Sequence, residues 1–402
     1  MPPLGPRLLR CAVAASLLAA PASKRLEAGP ETPSWSSLTG DVAAHVVGFA
    51  GLGYHVASFV DGAPRLTIWD RAGPRHVLEE HVGGVEFLAA GGRLVSWGGD
   101  GAVKVWDAST GKLLQALQHD GYVICARELW GSGRVATASA RGRAYVWDLV
   151  SGAAVWELPS PGIRGLEVFA SGDRFVTWAM HPNAQLWDLR GDTPAALELR
   201  GHRGVVEAAA VFPSGDLVVT GGRDWKAMIW EAGTGEFRRQ FMHGQWVTKV
   251  AAAADGRRVV TMTASGSIAL FSVEIGRRLR GFGRPAVQGG LFATGFAMFP
   301  DGARLLSFGR KGWAVWNTSS GGLLREEPRT FSAMAVAPGG DIVAGCSGGG
   351  GVTVLNATTG AALSGAPAHA EPIRMAMCHL AIGRSGTFDA RNFGHVAIAA
   401  FA

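Results

Sequence analysis

Residues 345–349 read Gly-Cys-Ser-Gly-Gly, a G-x-S-x-G string of the kind that presents a nucleophilic serine beside an oxyanion hole. That chemistry needs a strand, a sharp turn and a helix. The residues that follow are VTVLN, β-branched and short, so a strand follows and Ser347 falls in a hairpin turn. Gly111–Lys112 ends like a phosphate-cradling loop, but the glycine-rich cradle before it is missing and Leu113 replaces the hydroxyl residue that would hold Mg²⁺. Gly51–Leu52–Gly53 is a fragment of a dinucleotide fingerprint without its third glycine. His76 and His81 are five residues apart, Cys378–His379 stands alone, and the four cysteines (Cys11, Cys125, Cys346, Cys378) contain no C-x-x-C pair. Neither a zinc site nor a redox motif is therefore expected. These patterns call for no cofactor and no enzyme activity.

The elements that carry these residues are dictated by composition and period. The chain has 402 residues, 48% hydrophobic and 17% charged, enough apolar surface for a large core. Its 58 glycines disfavour long helices. The longest apolar run, about Cys11 to Ala22, is shorter than the ~20 residues of a membrane span. Eight similar strings recur, among them VKVWDASTGKLL, AYVWDLVSGAAV and MIWEAGTGEF. Their anchors are Trp69, Trp106, Trp147, Trp187, Trp230, Phe271, Trp316 and Leu355, spaced by 37, 41, 40, 43, 41, 45 and 39 residues. Five positions after the anchor, six of the eight have glycine (Gly111, Gly152, Gly235, Gly276, Gly321, Gly360), which permits the positive φ of a hairpin turn. Each unit divides into four short strands, the first nearly all apolar and the later ones more polar. Four-stranded units of this length predict an all-β chain, a β-propeller of antiparallel blades. Eight blades are expected, with seven and one displaced unit as the alternative.

Over about Val42 to Leu363 the sequence resembles the WD-repeat β-propellers. The resemblance rests on the Trp–Asp pairs at Trp69–Asp70, Trp106–Asp107, Trp147–Asp148 and Trp187–Asp188, and on Gly201–His202. It implies a hydrogen-bonded set inside each blade: His before the inner strand, Ser or Thr on the second strand, Asp in the next turn, Trp on the third strand. His202, Thr220, Asp224 and Trp230 match it in the fifth unit, and His81, Ser96, Asp100 and Trp106 in the second. Such a set is structural, a way of pairing buried polar groups. The other six units lack its Asp, having Ala63, Arg141, His181, Ser265, Arg310 or Gly349 there, and are expected to rely on apolar packing. A second resemblance is to the repeats of eight-bladed quinoprotein dehydrogenases, in which a Trp after Thr-Gly docks neighbouring blades; Gly152 and Trp156 fit that spacing. Those enzymes use adjacent cysteines near the quinone, which this chain lacks.

The ends stand outside the repeat. Residues 1–30 form a separate segment, with Arg7 and Arg10 before CAVAASLLAA and the small residues Ala20–Ala22, the outline of a secretory signal or an organelle transit peptide. Residues 42–365 form the propeller, and residues 366–402 resemble a partial further unit, a ring closure or a truncated end. A cytoplasmic or nuclear setting is expected from the resemblance, with secretion or import through residues 1–22 as the alternative. Charge is uneven. Residues 251–330 hold eleven Arg and Lys against five Asp and Glu, a surplus of six that equals the net charge of the whole chain. This stretch is a candidate contact for nucleic acid or an anionic surface.

The leading functional expectation is a non-enzymatic scaffold that binds protein or peptide partners through the propeller face. A nucleic-acid or anionic-surface binder acting through residues 251–330, and a quinoprotein-like propeller, are the alternatives. Aligning the units places Tyr122, Val205, Trp246 and Phe292 at the entrance to the inner strands, and the resemblance implies that peptides bind on that face. Tyr122, Trp246 and Phe292 would supply aromatic contact area, and Arg203 would pair with an acidic group.

Overall fold

The computed structural model describes residues 56–59, 66–70, 73–78, 84–88, 92–282, 293–309, 311–331, 333–336, 340, 342–346 and 352–365. The segments 1–30 and 366–402 lie outside the described residues, as do His81 and Phe292. Among the described residues there are eight antiparallel sheets in chain order: one of three strands (Val56–Phe59, Leu66–Asp70, Gly73–Leu78), then seven of four strands. The fifth sheet is representative. Its strands Val206–Val211, Leu217–Gly222, Lys226–Glu231 and Phe237–Met242 pair in sequence order. This is the all-β propeller architecture that the repeat predicts. No described helix is long and apolar enough to cross a membrane.

Alternation of side chains explains where the cores sit. Successive residues of a strand point to opposite faces, so each sheet feeds two cores. In the second strand of the fifth sheet, Val218 packs with Trp178, Leu186 and Trp230 between the fourth and fifth sheets. Its neighbours Leu217 and Val219 pack with Val259, Phe271 and Val273 between the fifth and sixth. The anchor aromatic of each sheet therefore faces its predecessor: Trp147 packs toward the second sheet, Trp187 toward the third, and Trp316 toward the sixth.

The anchor also starts a bulge. From the second sheet onward, all but the fourth show a register shift between third and fourth strands at or beside the anchor, as between Val105 and Trp106. The Asp or Asn after the anchor then ties the hairpin. Asp107 Oδ1 accepts the backbone N–H groups of Ser109 (2.9 Å) and Thr110 (2.8 Å). Asp148, Asn317 and Asn356 accept the equivalent pairs. These bonds favour the charged form, so the hydroxyl of Ser109 and the amide of Thr110 hold the Asp107 carboxyl down at about 2.

Two sets of side chains fasten consecutive sheets. On the fourth strands, the residue four places after the turn glycine reaches over the corresponding turn of the next sheet. Gln115 Nε2 donates to Val150 O at 2.9 Å, and Arg280 Nε to Ser319 O at 2.9 Å. The turn glycine gives room for this side chain: a Cβ on Gly152 would press on Gln115, and one on Gly276, where φ is +78°, would overlap the Arg239 guanidinium. At the start of the second strands, an arginine reaches the preceding turn of the next sheet. Arg174 donates to Gly215 O (3.0 Å), Arg258 to Gly302 O (2.9 Å) and Arg304 to Gly340 O (2.9 Å). Arg174 and Arg304 also lie over Phe169 and Phe299. Arg258, Arg280 and Arg304, from the basic stretch 251–330, thus tie sheet to sheet by binding carbonyls.

Candidate interaction face

Because each sheet is a simple meander, its inner strand begins on the same face as its second-to-third turn and its link to the next sheet. This leading face carries five of the large exposed apolar side chains. Tyr122 (51% exposed) and Trp246 (45%) stand immediately before inner strands. Met180 follows the second strand of the fourth sheet, Trp225 occupies the turn of the fifth, and Met242 ends its fourth strand. Tyr122 and Trp246 are therefore about half exposed to solvent at the starts of their inner strands. Arg203 is exposed on the same face, and its backbone N–H donates to Asp224 Oδ2 at 3.0 Å.

Asp224 belongs to a buried relay beneath that surface. Trp230 Nε1 donates to Thr220 Oγ1 (2.8 Å), Thr220 Oγ1 lies 2.7 Å from His202 Nε2, and His202 Nδ1 lies 2.9 Å from Asp224 Oδ1. One direction satisfies every group. The indole donates to the hydroxyl, the hydroxyl donates to Nε2, and Nδ1–H donates to the carboxylate. Burial pushes the Asp224 carboxyl up, but the bonds from His202, Arg203 and Lys226 outweigh it and leave it below the usual carboxylate range. With each member occupied, the set has no free nucleophile or base.

In the second sheet Trp106 Nε1 donates to Ser96 Oγ at 2.9 Å, while Asp100 faces solvent and pairs with Lys104 at 3.2 Å. Parts of the set recur where the aspartate is missing, which the motif alone did not show. Thr137, Thr177 and Ser307 accept from Trp147, Trp187 and Trp316. His119 and His243 pair through Nε2 with Thr137 (2.7 Å) and Thr261 (2.8 Å), and a backbone carbonyl takes the place of the aspartate at Nδ1. The signal lay in the sequence as His119 and His243 ahead of two inner strands, at the same offset as His202.

The inner strands are less apolar than the repeat suggested. The ion pair Arg127–Glu86 (2.8 Å) joins the third sheet to the second, and Arg164–Glu207 (2.6 Å) joins the fourth to the fifth. Glu207 also binds Arg223, whose guanidinium lies 4.8 Å from the centroid of Trp246. A buried carboxylate on one inner strand thereby fixes the side chain that supports an exposed ring on the next. Lys249, on the inner strand after Trp246, donates to Thr294 O at 3.0 Å, and burial pulls its amine down to about 8. Cys125 is buried, and desolvation pushes its thiol up to about 12, so it is not a nucleophile at neutral pH.

Comparison with known proteins matches this geometry. Residues 72–107 match the profile of the WD domain, G-beta repeat. The C-terminal WD40 domain of Sif2 superposes with a TM-score of 0.65 at 14% identity, over 78% of this chain and 95% of that one. The chain belongs to the WD-repeat β-propellers. Over residues 176–401, more than half its length, this WD-repeat chain belongs as well to the PQQ_2 family, whose profile is described as outer membrane protein assembly factor BamB. Trp156, the residue that the quinoprotein-type repeat singled out, is partly buried against the core between the third and fourth sheets. The side chains seen over turn glycines include Gln115 and Arg239. The computationally designed Ika8 protein has a TM-score of 0.65 at 22% identity, covering 79% of this chain and 98% of that one. Among curated proteins, cilia- and flagella-associated protein 52 of Sus scrofa is 27% identical over 44% of this chain and 29% of its own. Autophagy-related protein 16 of Arabidopsis thaliana is 25% identical over 62% of this chain and 50% of its own. Telomerase protein component 1 of Rattus norvegicus is 23% identical over 56% of this chain and 11% of its own. The matches thus span half or less of these three relatives.

Proposed function

We propose that this WD-repeat propeller is a non-catalytic scaffold whose leading face binds a protein or peptide partner. The observation that carries the reading is the pairing of exposed Tyr122 and Trp246 on one face with polar sets consumed inside the blades. Aromatic side chains held on rigid strands give large contact area at little entropic cost. Arg203 supplies a cation to the same face; Phe292, which the alignment of the repeats adds to the set, lies outside the described residues. The matching profile is that of an assembly factor, and the relatives range over cilia, autophagy and telomerase, which favours a scaffold over one shared reaction. The basic stretch favours a nucleic-acid surface less, since Arg258, Arg280 and Arg304 are spent on carbonyls of the next blade.

Co-purification followed by mass spectrometry, with wild type beside Trp246→Ala and Tyr122→Ala, tests this reading. Loss of a partner from either variant with an unchanged melt is the expected result. Recovery of the same partners by both variants overturns it. The working compartment is the cytoplasm or nucleus; fluorescence imaging of the chain tagged at its C-terminus checks this, and a signal confined to the secretory pathway or an organelle would instead mean export or import.

A further inference from the structure

In several blades the second-to-third strand turn places one residue in the left-handed region. Five places before the anchor, that residue is Gly101 (φ +77°), Gly142 (φ +86°) and Gly266 (φ +75°) in the second, third and sixth sheets. In the fifth sheet the same slot holds Trp225, at φ +67°. Trp225 is the only non-glycine residue with positive φ among the described residues, and for a bulky side chain that conformation is unfavourable. Packing repays it only in part, because the indole is 51% exposed. The strain therefore keeps a large aromatic ring in water, on the leading face.

What surrounds the ring defines the ligand that would cover it. The Trp225 carbonyl accepts the N–H of His243 at 2.9 Å, which fixes the turn against the link that carries Met242 (59% exposed) and Trp246. The cations on this part of the face are Arg203, Arg223, Lys226 and, two residues into the inner strand that starts at Val247, Lys249. Its carboxylates are already engaged. Asp224 is tied to His202 and to the N–H groups of Arg203 and Lys226, and Glu207 to Arg164 and Arg223. Among the described residues no carboxylate pairs with Arg203 or Lys249. Arg127 and Arg164, the cations of the neighbouring inner strands, each have a carboxylate from an adjacent sheet. An apolar surface that also presents Arg203 and Lys249 without a carboxylate partner is complementary to an acidic chain that carries a bulky apolar side chain.

We infer that the leading face of the fifth and sixth blades, centred on Trp225 and Trp246, docks an acidic peptide segment whose aromatic or aliphatic side chain lies on the two indoles and whose carboxylates reach Arg203 and Lys249. This deepens the scaffold reading and rests on it. It assigns to Trp225 the role of a specificity residue, with Glu207 and Arg223 positioning the Trp246 ring.

The test is selection of random twelve-residue peptides displayed on phage against the full chain, followed by fluorescence anisotropy of the enriched peptides. Enriched sequences should combine several Asp or Glu with a Phe, Trp or Leu. Trp225→Gly and Arg203→Glu should each weaken binding at least tenfold while the native melt is kept. Trp225→Gly is expected to fold, because glycine is what other blades carry there. Enrichment of neutral or basic peptides overturns the inference. So does binding that survives Trp225→Gly but is lost on Tyr122→Ala, an outcome that leaves the scaffold reading standing with its site elsewhere. A labelled single-stranded DNA of twenty nucleotides that binds as tightly and displaces the peptide would replace the peptide assignment with a nucleic-acid one. Failure to enrich any peptide, with partners still recovered by co-purification, removes this site and keeps the scaffold.

Discussion

Trp225 and Asp224 are sequence neighbours with opposite energetic roles. Asp224 completes a relay in which each buried donor has an acceptor, so Asp224→Ala leaves the His202 Nδ1–H and the Arg203 N–H unpaired. The expected cost is about 1–3 kcal/mol, read as a lowered melting temperature, and an unchanged melt would show that the relay does not stabilise the blade. Trp225→Gly should act in the other direction. Removing a Cβ from a left-handed position relieves about 1 kcal/mol, so this variant should melt slightly above wild type. A lower melting temperature would mean that the indole packs on the blade and is not held out for a ligand.

At the scale of strands and turns, stability depends on what each blade lends to the next. Gly276 lies under the Arg239 guanidinium at φ +78°, so Gly276→Ala meets both a backbone and a steric penalty. We expect a loss above about 1 kcal/mol, with Gly233→Ala, where a Cβ would meet nothing within 4 Å, as the neutral control. Equal melts for the two variants would refute the docking role of the turn glycine. Arg304 binds Asp301 at 2.7 Å and Gly340 O at 2.9 Å, and lies over Phe299. Arg304→Ala should cost about 1–3 kcal/mol. Arg304→Lys should recover little of it, because an ammonium cannot span carboxylate, carbonyl and ring at once.

For the whole molecule the testable property is acid sensitivity. His119 and His243 accept a hydroxyl hydrogen bond at Nε2 and are held below the ordinary imidazole value, chiefly by burial. A folded-state value below the unfolded one means that the unfolded chain binds protons first. The stability these residues contribute is thus present above about pH 6.5 and is lost as pH falls through the folded values. Asp224, also depressed, should lose its contribution in a second, lower step below about pH 4. Melting temperature should begin to fall between pH 6.5 and 5. The double variant His119→Gln, His243→Gln should flatten that first step, and a step of unchanged size would assign it to other groups.

By itself the sequence determined the four-stranded unit, its recurrence and the propeller class, because these follow from hydrophobic period, turn glycines and anchor spacing, all of which act within about 40 residues. The relay of His202, Thr220, Asp224 and Trp230 was legible for the same reason: its members occupy fixed offsets inside one unit. In the half-relays at His119 and His243 only the histidines and hydroxyls were legible, because a backbone carbonyl stands in for the missing aspartate and carbonyls leave no trace in a sequence. Tertiary structure alone decided what passes between units. Within the basic stretch, Arg258, Arg280 and Arg304 bind carbonyls of the next blade, a use of the charge that no local pattern shows. The ion pairs Arg127–Glu86 and Arg164–Glu207 join residues 41 and 43 positions apart, too far for any local pattern to show. Trp225 falls between the two cases. Its place in the glycine slot is visible in the alignment of repeats, but only the fold puts that turn on the face with Trp246, Arg203 and Lys249.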